Sequence, residues 1–109
     1  MPFFIDESGR EPMELAPGAR TRTFWGEDIL LSRVEVEPNQ IMPLHTHPEE
    51  QGGIILEGEF EIGMGGEVQV LKPGDMYIIP GGVEHYAKAG DKGVRALGIY
   101  SPVREAFKY

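Results

Sequence analysis

HTHPEEQGGIILEGEFEIGMGGEVQVLKPGDMYIIPGGVEHYAKA, residues 45–89, holds all three histidines of the chain in a two-part spacing. The first part runs His45-Thr46-His47, with Gln51 four residues on and Gly58 seven after that. The second runs Gly74, five residues, Pro80, one residue, Gly82, two residues, His85. On a strand or its extended continuation, residues i and i+2 point to the same side, so His45 and His47 can reach one ion. A single histidine on a strand is more often hydrogen-bonded filler. Three of three falling into one spacing pattern points instead to a metal site.

Outward from this stretch the chain keeps a strand-and-turn rhythm. Strand candidates are 41–44, 53–56, 59–64, 67–71, 76–79, 85–88 and 94–100, each short and partly alternating. Turn residues separate them at Glu57-Gly58, Gly65-Gly66, Lys72-Pro73-Gly74-Asp75, Pro80-Gly81-Gly82 and Gly90-Asp91-Lys92-Gly93. Upstream, 20–25 and 29–37 read as two further strands. Residues 1–18 show no clear period and read as an N-terminal arm, leaving 19–109 as the barrel. Residues 102–107 can form one helical turn after the last strand. Short strands at such intervals suggest an all-β closed barrel or jelly roll, which leaves few exposed edges.

The gross numbers agree. The 109 residues fit one compact domain. Fifteen glycines and nine prolines suit tight turns better than long helices. With no cysteine, disulfides, thiolate metal sites and a cysteine nucleophile are excluded. The N-terminus has no long apolar run and does not read as a signal peptide. No stretch approaches the roughly 20 apolar residues of a membrane span. The expected setting is therefore the cytoplasm, with no membrane partner. Ten basic against eighteen acidic residues give a net charge of −8, which repels phosphate backbones and makes nucleic acid an unsuitable partner. A small anionic molecule remains a fitting partner where the pocket is locally positive.

The two runs resemble the paired motifs of the cupin superfamily. The first is written H-x-H, three or four residues, Glu, six residues, Gly; the second is G, five residues, P-x-G, two residues, H, three residues, Asn. The resemblance implies a double-stranded β-helix or jelly-roll barrel with one divalent metal ion (Ni, Fe, Mn or Zn) on His45, His47, Gln51 and His85. It also implies a homodimer. Two positions depart from the pattern: Gln51 stands for Glu, and Ala89 for Asn. An amide oxygen ligates without bringing charge, so three imidazoles and Gln51 leave the ion about +2. Such an ion is a stronger Lewis acid and a better anchor for an anion. Gln51 has a second reading, as a support behind the ligands.

The Gln form of the first motif, the length and the tail are similar to a narrower group, the small pectin-degradation cupins that linearise unsaturated uronates. Their last strand ends in an S/T-P-hydrophobic-R-E segment, here Ser101-Pro102-Val103-Arg104-Glu105. That resemblance implies Arg104 as the substrate-carboxylate ligand and Tyr100 as an aromatic residue beside the substrate. Gly98 stands where the group carries an acidic residue used in proton transfer, and a glycine moves no proton. Alternation puts Gly98 and Tyr100 on one face with Val94 and Ala96, so Tyr100 is either a proton relay or a packing residue. Arg104 is either the carboxylate ligand or a surface ion pair. Glu49 and Glu50 read as a solvated loop face, Met42, Met64 and Met76 as core, and Phe24 and Trp25 as barrel or interface packing. Arg33 on its strand faces water or a partner subunit.

The resulting expectation is a metal-dependent, redox-neutral lyase or isomerase for a small carboxylated sugar or keto acid, such as an unsaturated uronate. Tyr100 and Arg104 are its candidate catalytic residues. The alternatives are a non-catalytic binder of a small organic acid and a metal-dependent dioxygenase.

Overall fold

Alternating side chains on two unusually long strands organise the whole chain, whose computed structural model describes residues 4–109. The strands are β1 (Met13–Ala16), β2 (Ala19–Trp25), β3 (Leu30–Val36), β4 (Ile41–His45), β5 (Glu50–Met64), β6 (Glu67–Leu71), β7 (Met76–Ile79) and β8 (His85–Ser101), followed by a 3₁₀ turn at Glu105–Phe107. All pairings are antiparallel. β5 and β8 pair along most of their length and belong to both layers. Their Gln51–Ile55 and Ala96–Ser101 halves join β7 on one side and β3, β2 and β1 on the other. Their Phe60–Met64 and His85–Ala89 halves join β6 and β4. The result is the expected all-β jelly-roll barrel. Among the described residues, no helix is long and apolar enough to cross a membrane.

Residues 57–58 and 90–93, expected as turns between separate strands, are instead bends inside β5 and β8. The pairing register slips beside Glu57 and Gly58. On β8 the buried positions shift from His85, Ala87 and Ala89 to Val94, Ala96, Gly98 and Tyr100, so the spacing changes parity while the same face stays inward. Two glycines permit the crossing. Gly58 and Gly93 have φ of 78° and 77°, and a Cβ on Gly58 would stand 2.0 Å from the Gly93 carbonyl oxygen. Local alternation simply breaks at each bend, which is why each strand reads as two.

Within the 1–18 arm, Met13–Ala16 form an edge strand on β2 rather than irregular chain. The arm is fastened to the other terminus. Arg10 lies over the Tyr109 ring, and the Tyr109 hydroxyl donates to the Glu11 carbonyl at 2.6 Å. Thr23 donates to the Phe107 carbonyl at 2.5 Å, which docks the final turn against β2. Inside, Leu30, Ile55 and Ile79 are almost fully buried. The buried hydroxyls of Thr21 and Ser32 satisfy each other at 2.6 Å. Met42 and Met64 pack on this core, but Met76 is 75 % exposed, because it points outward from β7 while Tyr77 and Ile79 point in. Arg33 faces outward and pairs with Glu7 at 3.0 Å.

Candidate metal centre

His45 ends β4, His85 opens β8, and the two stand opposite each other in register. His47 lies in the loop that follows, and Gln51 is the second residue of β5. That loop is held by the Gly81-Gly82 turn. Gly82 N–H donates to the His47 carbonyl at 2.9 Å, and a Cβ on Gly81 would meet the Pro48 carbonyl oxygen at 2.2 Å. The glycines of the second motif thus let the two histidine-bearing segments touch.

Each imidazole is oriented in the same way. Nδ1 of His45 donates to the Pro43 carbonyl at 2.8 Å, that of His85 to the Val83 carbonyl at 2.8 Å, and that of His47 to the Glu49 carbonyl at 3.0 Å. A carbonyl only accepts, so each ring carries its proton on Nδ1 and leaves the Nε2 lone pair free. Backbone-oriented rings of this kind are typical of metal-binding histidines. The three rings offer ligand atoms within 4.8 Å of one another, a geometry that can hold a metal ion.

Two further observations fit an ion. Nε2 of His85 is buried without a hydrogen-bond partner. Nε2 of His47 faces Oε1 of Gln51 at 3.2 Å. With the His47 proton on Nδ1, both atoms are acceptors, and a cation reconciles two lone pairs at that distance. Burial pushes His47 and His85 below the ordinary imidazole pKa, and the Arg104 guanidinium adds to the effect on His47. Both are therefore neutral at pH 7, the form that ligates.

His45 and His85 border a cavity of about 360 Å³ whose lining also includes Gln51, Tyr77, Tyr100 and Arg104. Arg104 lies over the Phe107 ring at 4.0 Å and beside Tyr100 at 5.4 Å. It does not pair with Glu105, which takes Lys108. Tyr100 is 5 % exposed, its ring edge-on to His47 at 5.5 Å, and burial raises its hydroxyl pKa far above the usual phenol value. The hydroxyl therefore keeps its proton at pH 7. Gly98 lies on the same inward face, where an added Cβ would sit 3.7 Å from Gln51 Nε2.

Two residues depart from the sequence reading. Glu49 is no solvated loop residue: its side chain is 16 % exposed, with Oε1 buried 4.0 Å from Arg104 Nε and 3.7 Å from His47 Nδ1. Glu50 is exposed as expected. Tyr77 belongs to neither sequence motif. Its hydroxyl accepts from Gln51 Nε2 at 3.4 Å, and its ring occupies the space where a side chain on Gly53 would be. A glycine inside a strand signals such close approach, so Gly53 was the available clue. Among the described residues, no carboxylate lines the cavity.

The cupin-domain family profile matches residues 32–100, which span both histidine segments. The chain is a cupin. This cupin is 28 % identical to the pectin degradation protein KdgF of Dickeya dadantii (strain 3937) over 107 residues, covering 96 % of each chain. Germin-like protein subfamily 2 member 4 of Arabidopsis thaliana is 34 % identical over 70 residues, which are 59 % of this chain and 32 % of that protein. The cupin thus spans about a third of the germin-like relative's length. Among solved structures, an RmlC-like cupin from Shewanella frigidimarina NCIMB 400 superposes with a TM-score of 0.90 at 23 % identity, over 99 % of this chain and 97 % of that one. KdgF from Halomonas sp. gives 0.88 at 24 % identity over 99 % of both.

Proposed function

We propose that this cupin is a metal-dependent, redox-neutral lyase or isomerase acting on a small carboxylated sugar or keto acid. The observation that carries the reading is the meeting of three backbone-oriented imidazoles and the Gln51 amide oxygen beside Arg104, in a cavity without a lining carboxylate. His45, His47, Gln51 and His85 would hold one divalent ion, which supplies Lewis-acid polarisation of a carbonyl or hydroxyl oxygen. With a neutral ligand set and a guanidinium nearby, the site attracts an anion despite the overall charge of −8. Arg104 binds the carboxylate. Tyr100 presents a protonated hydroxyl that can hydrogen-bond or protonate a developing oxyanion. Full-length similarity to a pectin degradation protein supports a carboxylated substrate.

Gly98 favours a second reading, a binder of a small organic acid that performs no chemistry, because the wall lacks a carboxylate to move protons. Metal-loaded protein mixed with an unsaturated uronate and with simple 2-oxo acids separates the two. Substrate loss without oxygen uptake, abolished by His45→Ala, is expected for the enzyme. Saturable binding of an acid with no turnover would leave only the binder.

A second copy of this chain is the proposed protein partner. Outward-facing Met76 and Ile78 are 75 % and 68 % exposed, and Ile78, Gly52, Ile99 and Leu31 stand in one row across the outer face of the larger sheet. Sedimentation velocity of the wild type is expected to show a dimer that Ile78→Glu dissociates.

A further inference from the structure

The cavity has two chemically different ends. Strand register orders its walls from the histidines inward. Beyond His85 on β8 comes Ala87, flanked by Met42 of β4 and Ile62 of β5. At about 3.3 Å per residue, this layer lies roughly 7 Å deeper than His85. On the opposite sheet, Ala96 of β8 pairs with Val34 and Ile55, four residues from Tyr100. Met42, Ile62, Ala87, Val34, Ala96 and Phe60 all line the same cavity as His85 and Arg104. Two alanines where a barrel interior ordinarily carries larger branched residues are what leave the deep end open.

That end offers little to hydrogen-bond, because the Tyr77 hydroxyl of the lining stands beside Gln51, with the histidines. Tyr86 also lines the cavity, but its hydroxyl is committed to the Glu61 carboxylate at 2.9 Å. The nearby Thr21 and Ser32 hydroxyls are committed to each other. A sugar hydroxyl placed there loses water and gains no partner, which weakens binding roughly tenfold per group. A methylene placed there is favoured.

We infer that the ligand is an amphiphilic 2-oxo acid rather than a polyhydroxylated sugar acid. Its carboxylate and oxo group occupy the Arg104 and histidine end, and its alkyl body fills the space beside Ala87 and Ala96. This rests on the proposed metal-and-carboxylate site and chooses between its two substrate branches.

Titration calorimetry of the metal-loaded protein with 2-oxobutanoate, 2-oxohexanoate, 2-oxooctanoate and galacturonate tests it. The expected result is a Kd that falls about fourfold per added methylene, the affinity equivalent of burying one CH₂, with galacturonate weaker than 2-oxooctanoate. Ala96→Leu is expected to erase that gain while metal content stays unchanged. If Ala96→Leu does not fold, the wild-type series decides alone. A Kd independent of chain length, or galacturonate binding as tightly as 2-oxooctanoate, overturns the inference and leaves the metal-and-carboxylate site standing. No binding by any of the four acids, with metal content confirmed, overturns both.

Discussion

The histidine end of the cavity and its alanine end are lined by the same strands, yet different physics governs each. At the histidine end, position is set by directed hydrogen bonds: three Nδ1–H groups fixed by carbonyls, and a carboxylate between Arg104 and His47. At the alanine end nothing is directed, and shape follows from side-chain volume alone. Alternation decides only what points inward. Residue type then decides whether the inward face becomes a binding site, packed core or open space.

The contrast yields tests in which one end changes and the other does not. His85→Ala is expected to lower metal affinity at least a hundredfold, more than the loss of a residue that merely orients a ligand. Its cost to the stability of the metal-free protein should be about 1–2 kcal/mol, from the lost Nδ1–H bond to the Val83 carbonyl, since the buried Nε2 makes no hydrogen bond there. Metal analysis after dialysis and thermal unfolding read the two effects separately. Ile55→Ala should do the reverse, lowering unfolding free energy by about 2–5 kcal/mol through lost packing while one ion still binds. Equal loss of both properties in either variant would erase the distinction.

Arg104→Met sharpens the comparison within the polar end. It keeps an unbranched side chain but removes the guanidinium that lies over Phe107, so 2-oxobutanoate affinity is expected to fall about tenfold to a hundredfold with metal content unchanged. Glu49→Gln is the mildest change. Its carboxylate sits at long range from both neighbours, 4.0 and 3.7 Å, so an effect of up to about fivefold on acid affinity is expected. An effect larger than that of Arg104→Met would show that Glu49 acts on the ligand itself.

Much of this was legible from the residues. The alternation of β3 and the Gly65-Gly66 turn between β5 and β6 show in the sequence, as does the spacing that gathers three histidines. The local signal failed where two distant segments meet. Gly58 and Gly93 look like turn residues, and only their mutual approach shows them to be bends in continuous strands. Met76 is apolar and so reads as core, although its strand turns it outward. Glu49 reads like Glu50 next to it; what separates them is Arg104, fifty-five positions later, brought over by the docked C-terminal turn. Tyr77 is hidden for the same reason, its partner Gln51 lying across a strand pair.

The most direct test of the centre is anomalous diffraction from crystals grown with cobalt or nickel. One strong peak is expected about 2.0–2.2 Å from Nε2 of His45, His47 and His85 and from Oε1 of Gln51. A peak bound elsewhere, or none at full metal occupancy in solution, would contradict the assignment.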